Sequence, residues 1–186
     1  MANFKESMKL LFQAEFSNRK DKFLHKNKKE NGYTLGGVYE KWNKDSIDWN
    51  LVREVVAQNH GDLKKASVVL YSYENVMDSV WGVYKTTYWD KMRLDEVNSQ
   101  KIADEMFLFG VVAHPRNAIK LAQRLVGVVD DGIIGSKTLA ALNAYDESKF
   151  DLEFDIKEKN YFDSIVKNKP HLAFNLDGWK NRAEYV

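Results

Sequence analysis

A mainly α fold with one small β-hairpin is predicted by three features of this 186-residue chain. Apolar residues recur at helical spacing over most of its length. Glycine and proline, which punctuate many-stranded folds, number only ten and two. An Asn-Gly pair, Asn31-Gly32, lies in an aperiodic stretch and reads as the corner of a hairpin.

The elements follow in order. Phe4, Met8, Leu11 and Phe12 place one apolar stripe along an N-terminal helix that Ser17 and Asn18 close. Residues 23–40 lose helical periodicity and are expected to form a loop with the hairpin, Gly36-Gly37 allowing a close backbone approach. Leu51, Val52, Val55 and Val56 predict a short helix ending near Asn59-His60-Gly61. Asp62 then caps a helix expected to run unbroken to Tyr84. Further helices are expected over 99–114, from Asn117 through Leu125, and over 137–143 with Ser136 as cap, the last two separated by a turn at Asp131-Gly132.

Composition excludes several functions. Lysine and arginine total 28 against 27 aspartate and glutamate, a net charge of +1, without the basic excess of a nucleic-acid binder. The chain has no cysteine, which removes disulfides, thiolate metal sites and cysteine nucleophiles. The histidines, His25, His60, His114 and His171, are never paired at helical spacing, and no phosphate-loop or dinucleotide glycine pattern occurs, so neither a metal nor a cofactor is expected. The longest apolar run, 106–113, is far short of the ~20 residues of a membrane span, so no membrane insertion is expected. Lys5, Glu6 and Lys9 interrupt the N-terminus, so no signal peptide is visible and synthesis in the cytoplasm is expected. The near-neutral charge is a sum of opposites: residues 16–30 carry six basic and two acidic groups, whereas 146–163 carry seven acidic and three basic.

Glu15 is the leading candidate for chemistry. Eleven residues of helix return it to within ~20° of Phe4, on the apolar stripe and at the helix C-terminus. Burial and the negative helix end both favour a protonated carboxyl, as a glycosidic general acid requires. The competing reading is a glutamate held in an ion pair. His25, Tyr33, Thr34 and Tyr39 supply polar and aromatic groups in the following loop. Tyr88-Trp89 could stack on sugar rings or belong to the core.

Two stretches carry a family resemblance. Glu15-Phe16-Ser17-Asn18, with Glu30-Asn31-Gly32-Tyr33-Thr34-Leu35-Gly36-Gly37-Val38-Tyr39, resembles the catalytic region of glycoside hydrolase family 108, the phage-type N-acetylmuramidases. Ala118, Leu121-Ala122-Gln123, Gly127-Val128, Asp131-Gly132-x-Ile134-Gly135 and Thr138-Leu139 are similar to the helical peptidoglycan-binding region that accompanies it. The chain departs from the family form at Phe16 and Ser17, which replace two glycines, and at Tyr39, which replaces a threonine.

The resemblance implies a lysozyme-like fold, with a catalytic region over 1–90 and a peptidoglycan-binding region over 91–186 packed as one unit. It implies a muramidase, a lysozyme-type glycoside hydrolase, cleaving the β-1,4 bond between N-acetylmuramic acid and N-acetylglucosamine in a phage or prophage endolysin. Glu15 would be the catalytic acid. Ser17, Asn18, His25, Tyr33, Thr34, Tyr39, Tyr88 and Trp89 would contact glycan strands, and the second catalytic group would come from Asp21, Glu30 or Glu40. The lysine-rich loop would meet the anionic wall. A monomer is expected, working on the cell wall in the periplasm or outside. A lytic transglycosylase and a non-catalytic wall-binding protein are the alternatives.

Overall fold

Residues Phe4–Phe16 form helix α1, and the apolar stripe read from the sequence buries Met8, Leu11, Phe12 and Phe16. The computed structural model describes residues 1–17, 19–27 and 30–186, and Asn18 lies outside them. The fold is mainly α, with one small antiparallel sheet. The chain divides into two compact units, Leu11–Thr86 and a second one made of Met1–Leu10 with Thr87–Val186.

In the unit 11–86, strands β1 (Leu24–His25), β2 (Thr34–Leu35) and β3 (Val38–Tyr39) form the sheet in that order. The corner expected at Asn31-Gly32 belongs instead to the longer β1–β2 connection, and the tight turn is Gly36-Gly37. Both glycines have positive φ, +55° and +82°, the combination that two-residue hairpins require. The turn is also crowded. A Cβ on Gly36 would lie 2.6 Å from the Phe23 ring and 2.8 Å from Val80. Gly36→Ala is therefore expected to lower stability by about 2–3 kcal/mol, read as a fall in urea midpoint, because neither buried neighbour can withdraw.

Helices α2 (Trp49–Gln58), α3 (Leu63–Tyr71) and α4 (Glu74–Tyr84) complete this unit. Asp48 caps α2 and Asp62 caps α3, each accepting two backbone N–H groups. The helix expected over 62–84 is broken. Tyr73 is extended, and Ser72 Oγ donates to the Val69 carbonyl at 2.6 Å, competing with the helical ladder. Buried Ser67 ties α3 to the sheet: it accepts the Leu24 N–H at 2.8 Å and donates to the Lys20 carbonyl at 2.6 Å.

In the second unit, α5 (Gln100–Ala113) is buried along most of its length, from Ile102 to Gly110. Around it pack α6 (Pro115–Leu125) and α8 (Glu147–Asn168), followed by α9 (Leu176–Arg182). Phe109 sits edge-on to Phe154 and Phe162, and Phe162 stacks on Trp179 at 5.1 Å. Ser7 donates to Asp104, which also accepts from Gln100, so the first turns of α1 are bonded to α5. Helix α7 (Ser136–Ala144) begins at Ser136, with Gly135 in the capping position expected for the serine. Among the described residues, no helix is long and apolar enough to cross a membrane.

Candidate functional site

The sheet sorts its six residues into two rows. Leu24, Leu35 and Val38 are cross-strand partners, and all three are buried. His25, Thr34 and Tyr39 are the other set of partners. Directly opposed residues share a face of the sheet, so these three form one polar row on the side away from the apolar row. Thr34, in the middle, is 7% exposed, while His25 and Tyr39 on either side are half-buried. Three residues singled out in the sequence are thus brought together by register alone.

The hairpin is fastened to the end of α1 through Phe23. Its ring meets Phe12 and Phe16 at 6.0 and 6.3 Å, and its carbonyl accepts the Gly36 N–H at 2.7 Å. Glu15 lies on this last turn of α1, and Ser17 ends the helix with a left-handed φ of +49°. The expectation that Glu15 is buried is corrected: it is exposed, although Leu11, Phe12 and Phe16 around it on the same arc are buried. The inward-facing arc is therefore uncovered at the acid.

The three acids considered for a second role differ in their partners. Asp21 is held by Arg19 through two hydrogen bonds of 2.6 and 3.1 Å, which lower its pKa. Glu40 is paired with Arg53 and accepts the Tyr33 N–H at 3.0 Å. Glu30 is half-buried, with one carboxylate oxygen shielded and unbonded. Tyr33 is half-buried, with Lys26 Nζ 5.3 Å from its ring centre.

Beside Tyr39 opens a cleft of about 640 Å³, lined by Asn31, Lys41, Lys44, Asn50 and Arg53 among others. Next to it in sequence, Trp42 is 75% exposed, with Lys41 Nζ 4.9 Å from its ring centre. Sequence reasoning missed these residues. The available signal was a tryptophan in a polar, aperiodic stretch, Glu40-Lys41-Trp42-Asn43-Lys44, where no helical stripe would bury it.

Trp89 is the clearest correction. It is fully buried in the second unit, against Phe4 at 5.5 Å and Phe107 at 5.6 Å, and its indole N–H donates to Asp95 at 2.8 Å. With its ring in the core and its donor satisfied, it has no face for a sugar. Tyr88, on the wide turn of π-helix at Lys85–Trp89, is half-buried, and desolvation raises its phenol pKa.

The Asp-Gly-x-Ile-Gly stretch before α7 is a pinned turn. Gln123, 1% exposed, donates to Asp131 at 2.8 Å and to the Ile133 carbonyl at 3.0 Å, and accepts the Gly132 N–H at 2.9 Å. Ile134 points into the core, while Val129 and Ile133 are 79% and 67% exposed. The motif thus holds a loop with an apolar surface.

Residues 117–184, just over a third of the chain, match the family model described as "Predicted Peptidoglycan domain". The fold is similar to that of SagA from Brucella abortus, with a TM-score of 0.61 and 21% identity over 97% of this chain and 88% of that one. No curated protein matches the sequence. The family match makes the region 117–184 peptidoglycan-related, and the structural likeness is one of fold.

Proposed function

We propose that the chain is a peptidoglycan hydrolase of the N-acetylmuramidase type, with Glu15 as its general acid, and that residues 117–184 hold it to the wall. One observation carries the reading. A carboxylate sits on the inward arc of α1, at the helix end fastened to the hairpin, and is open to solvent where its neighbours on that arc are buried. A glycan strand covering that position would exclude water and favour the protonated acid, which then donates to the leaving glycosidic oxygen.

The polar row His25–Thr34–Tyr39 and the cleft beside Tyr39 offer hydroxyl, imidazole and amide groups suited to sugar hydroxyls, with exposed Trp42 as a stacking surface. Lys41 and Lys44 add positive charge for an anionic strand. Of the three acids near the hairpin, Glu30 suits the water-activating role best, because arginines already hold Asp21 and Glu40. The proposed setting is a wall-lysis system of the phage type, resembling glycoside hydrolase family 108, with the protein made in the cytoplasm and acting outside it.

Mass spectrometry of products from purified peptidoglycan tests the reaction. Fragments ending in reducing N-acetylmuramic acid are expected. Anhydro ends would replace the hydrolase with a transglycosylase. A second reading, wall binding without catalysis, is favoured by the family match lying wholly outside the unit that carries Glu15. Co-sedimentation of the full chain with insoluble peptidoglycan is expected under either reading, and Ile133→Asp is expected to weaken it several-fold by charging the exposed apolar loop. Unchanged pelleting of that variant would move the wall contact elsewhere.

A further inference from the structure

Helices α5 and α8 enclose a cluster of acids that the proposed reaction does not use. Glu105, Asp151 and Asp155 each bring one carboxylate oxygen to within 4.8 Å of the others. Glu105 is 2% exposed, and its Oε1 is buried without a hydrogen-bond partner. Asp155 Oδ1 is enclosed and unbonded in the same way. Such groups are costly to bury unless something neutralises them.

Their surroundings do not suffice. Lys101 Nζ lies 2.9 Å from Asp151 Oδ2. Lys159 lies 3.8 Å from Asp155 but 2.7 Å from Glu184. Arg182 acts on Glu158, which is 4% exposed on the same helix as the aspartates. Glu105, Asp151, Asp155, Glu158 and Glu184 thus face Lys101, Lys159 and Arg182, five acids against three bases.

We propose that Glu105, Asp151 and Asp155 form a binding site for a hard divalent cation, Ca2+ in preference to Mg2+. An all-carboxylate donor set selects hard cations, and two positive charges match the local deficit. Carboxylates on two separate helices suit Ca2+, which accepts irregular sets of about six to eight oxygens, better than Mg2+, which demands near-ideal octahedral geometry. The side chains of Asp151 and Asp155 are 21% and 19% exposed, so an ion can enter without unfolding the helices. The absence of a metal expected from the sequence rested on histidine and cysteine and did not weigh carboxylates on separate helices. A bound ion would join α5 to α8 and stiffen the second unit.

The test strips the full-length protein with a chelator, then follows Ca2+ binding by calorimetry and melting temperature, with Mg2+ and K+ at matched ionic strength. One Ca2+ per chain is expected, raising the melting temperature by about 5 °C or more at saturation. Glu105→Gln and, independently, Asp151→Asn should abolish the rise. Without Ca2+, Glu105→Gln should melt no lower than the stripped wild type, since it removes a buried charge. Three results overturn the proposal: no heat and no shift up to about 10 mM Ca2+; an equal shift in both variants, which places the ion elsewhere; or an equal response to Mg2+.

Discussion

Glu15→Gln is expected to cut the release of soluble fragments from peptidoglycan by at least ~100-fold while leaving the fold and wall binding intact. Glutamine has the same shape and can accept hydrogen bonds, but it cannot give a proton to a leaving oxygen. The side chain is exposed, so the substitution creates neither a cavity nor an unsatisfied buried group, and the melting temperature should move by less than about 2 °C. The readouts separate the two functional readings. Loss of release with unchanged co-sedimentation supports a catalytic acid in the unit 11–86 and wall binding by another part of the chain. Equal release by variant and wild type removes the hydrolase and leaves the binding protein. A second variant adds a check: Glu30→Gln should lower kcat with the melting temperature unchanged, whereas a merely structural Glu30 would shift only stability.

Much of the architecture was legible because it is local. The apolar stripe of α1, the cap at Asp62 and the turn at Asp131-Gly132 depend on residues within one or two helical turns of each other. Gly36-Gly37 was legible as a place of close approach, although what approaches, Phe23 and Val80, was not. The polar row of the sheet was half legible: its three members were candidates, but register alone aligns them, and register followed the glycine pair rather than Asn31-Gly32. Trp89 could not be placed from its neighbours, since its burial depends on Phe4 and Phe107, far away in the chain. The burial expected of Glu15 failed for the complementary reason. Helical angle places it on the inward arc, but whether anything covers that arc is a tertiary fact. The acidic stretch 146–163 showed only an excess of charge, because its buried counterpart, Glu105, lies on another helix, beside Asp104 in a largely apolar segment.

Metal-free protein should lose stability in its second unit as pH rises from 5 to 8, the reverse of the usual behaviour of carboxylates in ion pairs. Glu105 and Glu158 are nearly inaccessible, and desolvation with mutual repulsion raises their pKa values to about 10 and about 8, from 4.5. The folded state therefore holds protons that the unfolded chain releases above 4.5. For carboxyls raised in this way the stabilising contribution is complete below the unfolded value and is lost as pH climbs through the folded values. Asp155 and Asp104, raised mainly by burial, add to the same trend. Glu184, lowered by its bond to Lys159, and Asp130 and Asp131, lowered by Arg124 and Gln123, act in the opposite sense, and their contribution is already in place above pH 5. The net fall should be on the order of 2–5 kcal/mol. Native-state hydrogen exchange at the amides of 106–109 reads it from the core of this unit. Glu105→Gln should flatten the slope and be the more stable protein at pH 8, because a neutral amide replaces a carboxyl that must either keep its proton or carry a buried charge. Saturating Ca2+ should flatten it in the wild type, since the ion takes the place of the proton. A slope that survives Glu105→Gln unchanged would locate the titrating group at Glu158, where Arg182 already offsets part of the charge, and would show that Glu105 binds no more protons in the folded state than in the unfolded chain.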